Sequence, residues 1–175
     1  MTYCVGFLLE SGLVFASDSR TNAGVDYISS YSKLHVFQPA PDRLFVLMAA
    51  GNLGTTQAVL NRIRRDLALD DAAAAAEMVS AVNDGPGAGS AAPSRPSGSS
   101  EEGHDLLTAR YLFEAADYVG RLSVAVQRAF STPLQQAGAS GEASFILGGQ
   151  IAGQPHGLYL IYPQGNAIMA TPETP

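Results

Sequence analysis

The chain opens Met1-Thr2. A second residue as small as threonine permits removal of the initiator methionine, which leaves a hydroxyl and a free α-amine on one residue. That amine titrates at about pH 8, so it can take the hydroxyl proton near neutrality, directly or through a water, and make the side chain a nucleophile. Many proteins begin Met-Thr without any such chemistry, so other residues must supply the discrimination. Lys33 is the only lysine, and the rest of the ten basic residues are arginines. A compact ammonium shifts its pKa readily on burial, whereas a guanidinium stays charged and presents a broad planar fork. A lone lysine among arginines therefore marks either a position that rejects arginine or an accident of composition. Asp18, in Ser17-Asp18-Ser19, is either a turn-forming residue or a carboxylate that holds a nearby lysine charged and in place. Gly51 follows an apolar run and precedes a helical pattern, where backbone N–H groups can face an anion and form an oxyanion hole. The stretch Gly51-Asn52-Leu53-Gly54-Thr55-Thr56 lacks the lysine and the spacing of a phosphate-binding loop.

These residues need elements to carry them. The β-forming residues of 2–9, the turn Glu10-Ser11-Gly12 and the run 13–16 predict a hairpin that begins at the nucleophile. Residues 17–32 are rich in Ser, Asn, Gly and Asp and are expected to form a loop, and 33–38 alternates like a strand. Residues 43–50 (RLFVLMAA) form a nearly unbroken apolar run, which predicts a central strand buried on both faces and ending at Gly51. Helical spacing then holds over 53–67, and the alanine-rich 71–82 is also helical in character. Asp105 is expected to cap a second long helix, whose apolar stripe from Leu112 to Phe130 ends before Pro133. Strand character returns over 143–150, 158–163 and 167–171. Strands, then helices, then strands predict an α+β fold rather than a wound parallel sheet.

At 175 residues and 46 % hydrophobic content the chain fits one domain, 1–175, with a Gly/Ala/Pro/Ser-rich flexible insertion at 84–103. A net charge of −6 argues against a phosphate-backbone partner, so no nucleic-acid role is expected. The sequence reads without a leader and without a membrane-length apolar run, so a cytoplasmic location is expected. Cys4, the single cysteine, allows no disulfide framework and is expected to be core material. His35, His104 and His156 share no ligand spacing, so neither a metal nor another cofactor is expected.

In combination, Thr directly after Met, the strand end FASDSRTNAG, the single Lys33 and the junction AAGNLGTTQ resemble a proteasome β-type subunit. The resemblance is strongest to the bacterial proteasome-type peptidases called Anbu, ancestral β-subunit relatives. It rests on TYCVGFLLESGLVFASDSRTNAGVD and SFILGGQIAGQPHGLYLIYPQGNAI and covers 2–67 and 143–175. It implies an N-terminal-nucleophile (Ntn) hydrolase fold, an αββα four-layer sandwich of two antiparallel sheets. It also implies Thr2 as nucleophile, Asp18 and Lys33 as the charged pair that tunes it, and Gly51 as the oxyanion-hole amide. The implied activity is that of a threonine protease cleaving peptide or amide bonds through an acyl-enzyme, and the implied partner is self, in a ring or spiral homo-oligomer. Ala49, by the same analogy, implies a roomy specificity pocket. Family members continue beyond a segment like ATPETP into another strand, a serine-containing glycine turn and a further helical layer, so the second helical layer is expected to be missing here. A noncatalytic assembly subunit that keeps the ring-forming surfaces is the competing reading. The chain carries no nucleotide-binding motif, which leaves open an ATP-dependent unfoldase partner.

Overall fold

The computed structural model describes residues 2–22, 28–83, 104–171 and 173. The chain begins with β1 (Cys4–Leu9) and β2 (Gly12–Ser17), an antiparallel hairpin in which Leu9 pairs with Gly12 and Cys4 with Ser17. The expected loop 17–32 instead holds a second, short hairpin, β3 (Arg20–Asn22) and β4 (Ile28–Ser30). Its strands are only three residues each, too short for alternation to stand out from the Ser- and Asn-rich composition.

The main sheet has the order β5 (Leu34–Ala40), β6 (Arg43–Gly51), β7 (Ala143–Ile151), β8 (Gly157–Ile161) and β9 (Ala167–Met169), antiparallel throughout. β6 has the predicted inner position. Leu47, Met48 and Ala49 are buried in succession, so its middle is covered on both faces. Alternation explains how. Phe45, Leu47 and Ala49 share a core with Phe37, Phe145, Leu147 and Ile161, while Met48 points to the opposite side.

That core is closed by α1 (Leu53–Asn83) and α2 (Leu112–Gln136), which pack on the same face of the sheet and on each other. Val59, Leu60 and Ile63 of α1 and Ala115, Ala116, Val119 and Val126 of α2 are fully buried against it. The larger of these side chains contribute about 1.5–3 kcal/mol each on burial. The helices are joined to one another by a hydrogen bond from the Tyr118 hydroxyl to Asp66 Oδ2, 2.8 Å. On the other face of the sheet lies the β1–β2 hairpin, whose Phe15 sits against Gly148. A Cβ on Gly148 would come within 2.4 Å of that ring, so glycine here lets the two sheets meet. The architecture is thus α+β, a helical layer on a five-stranded antiparallel sheet that in turn packs on the hairpin, as in an Ntn sandwich.

Several boundaries differ from the periodicity. The two helical stretches 53–67 and 71–82 are one helix, because no glycine or proline lies between them to break it. Asp105 does not cap α2. Its Oδ1 accepts the N–H groups of Leu107 and Thr108, at 3.0 and 2.8 Å, and closes an isolated turn before the helix. The start of α2 is served instead by Glu114, whose Oε2 accepts the N–H groups of Arg110 and Tyr111. Pro133 lies inside the last turn of α2 rather than beyond its end; a missing N–H there costs one bond in a turn already giving way to solvent. The insertion at 84–103 lies outside the described residues.

Candidate active site

Thr2 stands just before β1, exposed. Its neighbour is clamped on both sides. Tyr3 N–H donates to Asp18 Oδ1 at 2.7 Å and Tyr3 C=O accepts the Asp18 N–H at 3.0 Å, so the end of β2 fixes the start of β1. Lys33 arrives from the residue before β5, where its carbonyl accepts the Ala49 N–H at 3.1 Å. Its side chain is buried, and Nζ donates to Asp18 Oδ1 and Oδ2 at 2.7 and 2.8 Å and to the Arg20 carbonyl at 2.8 Å. All of the ammonium's N–H bonds therefore have acceptors. Such a shell suits a compact point charge; a guanidinium would present a longer, planar set of donors to the same three oxygens.

Asp18 is the hinge of this arrangement. Its carboxyl is held below the ordinary carboxylate range, first by the hydrogen bond from Lys33 and then by the one from the Tyr3 amide. One carboxylate thus ties together the backbone next to Thr2 and the buried ammonium.

Gly51 closes β6 with φ at +112°, and a Cβ there would lie 2.4 Å from the Glu142 carbonyl oxygen. Both facts demand glycine. Amides along an antiparallel strand alternate sides. Ala49 N–H points to the β5 side, so Gly51 N–H points there too, at a level where β5 has not yet begun. The space it faces is a small cleft of about 30 Å³, lined by Thr2, Lys33, Gly51, Ala49, Tyr31 and Leu53 among others. Asn52 anchors the junction between β6 and α1. Its Oδ1 accepts the Thr55 N–H, its own N–H donates to Glu142 O, and Nδ2 donates to Ser140 O, so the helix starts rigidly behind Gly51.

Thr2, Lys33 and Gly51 thus line one cleft, and Asp18 touches it through Lys33. Ala49, Tyr31 and Leu53 are among the residues that line it. Tyr31 and the Arg20 carbonyl were not legible as site groups. The first is an ordinary aromatic in a polar stretch, and the second is a backbone atom whose role depends on the β3–β4 hairpin. Cys4 is half-buried with Sγ 3.8 Å from the Ala49 carbonyl; burial pushes its thiol pKa up, against the pull of Lys33. The histidines lie apart, His35 against Tyr31, His104 near Glu114 and His156 on the Leu9 carbonyl. Among the described residues no helix is long and apolar enough to cross a membrane.

No protein-family model and no curated protein matches the chain. Solved structures do. An Anbu (Gly-1) mutant from Hyphomicrobium sp. strain MC1 superposes with a TM-score of 0.71 at 36 % identity, covering 100 % of this chain and 57 % of the other. Anbu (ancestral beta-subunit) from Yersinia bercovieri gives a TM-score of 0.70 at 37 % identity, over 98 % of this chain and 57 % of its own. The helical assembly of the Anbu complex from Pseudomonas aeruginosa gives 0.72 at 36 %, over 98 % and 58 %. The chain spans less than two thirds of the length of these proteins. With its fold shared and about a third of its residues identical over nearly all of its own length, the chain belongs to the Anbu, or ancestral β-subunit, family.

Proposed function

We propose that the chain is the nucleophile-bearing part of a cytoplasmic threonine-type hydrolase that cleaves peptide or related amide bonds. The observation that carries this reading is the buried Lys33–Asp18 pair set against the cleft that Thr2 and Gly51 share. Once Met1 is removed, the Thr2 α-amine takes the proton from its own Oγ1, directly or through a water, as Oγ1 attacks the substrate carbonyl carbon. The positive charge of Lys33 favours loss of the hydroxyl proton and disfavours protonation of the amine, and Asp18 holds that charge in place. Because the Lys33 N–H bonds are already accepted, Lys33 acts through its field and the α-amine is the base.

As the carbonyl oxygen gains charge it meets the Gly51 amide. Collapse of the tetrahedral species breaks the C–N bond, and the α-ammonium returns its proton to the leaving amine. The acyl group remains as an ester on Thr2, and water hydrolyses it. The helical assembly formed by the Pseudomonas relative supports self-association of this chain into a ring or spiral, from whose sheltered interior a peptide would reach Thr2.

The test is intact-protein mass spectrometry before and after a β-lactone or epoxyketone electrophile. The expected result is a mass lacking Met1 with one adduct, absent in Thr2→Ala and formed on the order of 10²-fold more slowly in Lys33→Arg. A processed chain that assembles yet stays unmodified would instead establish the noncatalytic assembly subunit.

A further inference from the structure

We propose that the outer edge of β5 binds an extended acidic peptide, which joins the sheet as an additional strand and sets a carboxylate side chain on Arg64. Among the described residues β5 pairs only with β6. Since the Lys33 carbonyl accepts the Ala49 amide, and His35 and Phe37 face Leu47 and Phe45 in the same register, these odd residues spend their backbone groups on β6. Leu34 and Val36 direct theirs outward, where the Leu34 carbonyl already accepts the Ser32 hydroxyl at 2.8 Å, leaving the Leu34 N–H and both Val36 groups to the edge. An open edge is usually blunted by proline, charge or a bulge. Here Pro39 and the irregularity between Phe37 and Ala40 stop the ladder only at its far end, and Val36 is 59 % exposed.

Beside this edge runs a cleft of about 530 Å³, between β5, Arg64 and Leu67 of α1, and Leu107. Its volume suits a ligand far better than the small cleft at Thr2 does. Among the described residues Arg64 is the one formally charged group lining it. Arg43, Arg65 and Arg121 each bridge an aspartate, whereas among the described residues Arg64 has only a 3.5 Å contact with the Asn61 amide oxygen. His35 also lines the groove, and among the described residues its solvent-shielded Nε2 has no hydrogen-bond partner. Unpaired strand groups give affinity for an extended backbone, and an unpartnered guanidinium selects a carboxylate on it. The same charge disfavours a second copy of this chain, because two β5 edges paired together would bring two Arg64 groups along one short ladder that no acid among the described residues lines.

The site does not depend on the Thr2 chemistry, so the experiment uses the Thr2→Ala protein. The probe is fluorescein-Gly-Thr-Val-Thr-Glu-Thr-Val-Thr-amide, read by fluorescence anisotropy. Saturable binding is expected, weakened about tenfold by a Gln in place of the Glu and by Arg64→Ala. N-methylation of alternate peptide amides, in the register that faces β5, should weaken it similarly, and Val36→Pro should do so without disturbing the β5–β6 ladder. Equal binding of the Gln or of both N-methylated peptides, indifference to Arg64→Ala, or no saturation up to about 1 mM would overturn the proposal. A dimer dissociated by Val36→Pro, with no peptide bound, would give the edge to a second copy and overturn it as well.

Discussion

Replacing Gly51 by alanine tests the site and the fold together. The backbone there has φ of +112°, and the new Cβ would meet the Glu142 carbonyl oxygen at 2.4 Å and the Ala143 Cα at 2.9 Å. The conformational strain is about 1–3 kcal/mol, and forcing backbone apart between paired strands adds about 1–3 kcal/mol. We expect a loss of roughly 4 kcal/mol, which for a chain of this size lowers Tm by about 8–16 °C. Gly138→Ala is the control. It also has positive φ, +64°, but its Cβ meets nothing within 4 Å, so only the strain of about 1–2 kcal/mol applies. Thermal denaturation of the two variants separates collision from conformation. If both lose the same stability, the tight apposition of Gly51 to Glu142 and Ala143 is wrong, and with it the argument that aims the Gly51 amide into the cleft.

Two other contacts have measurable consequences. The Asp18 carboxyl is held below its ordinary pKa, so the linked stability is fully present above the unfolded value of about 4 and is lost as pH falls through the lower folded value. Acid titration of Tm should therefore show a steeper fall below that range in the wild type than in Asp18→Asn, and parallel curves would contradict the pairing with Lys33. Tyr118 is buried and donates to the Asp66 carboxylate, and burial first, then that bond, pushes its phenol pKa up. Tyr118→Phe should cost about 1.5–3 kcal/mol in urea unfolding, and a change below about 0.5 kcal/mol would show that the bond does not hold the helices together.

How much of the fold and the site was legible in the sequence depended on whether a signal is local. The unbroken run ending at Gly51, the first hairpin and the helical stripes come from periodicity, and the structure keeps them because one core absorbs all their apolar faces. Thr2, Asp18, Lys33 and Gly51 stood out through residue type: a hydroxyl after methionine, a carboxylate at a strand end, a lone lysine, a glycine before a helix. None of these features carries a distance. Only the tertiary structure decides that Lys33 reaches across to Asp18, because the register of β5 on β6 and the Tyr3–Asp18 clamp are long-range pairings. The Arg20 carbonyl, the place of Tyr31 in the cleft wall and the open outer edge of β5 are likewise properties of where strands end in space, and composition does not encode them. The alanine-rich stretch shows the converse case. Its helical propensity was plain, but its fusion with the preceding helix into α1 was hidden, because continuity depends on the absence of a break rather than on any positive mark.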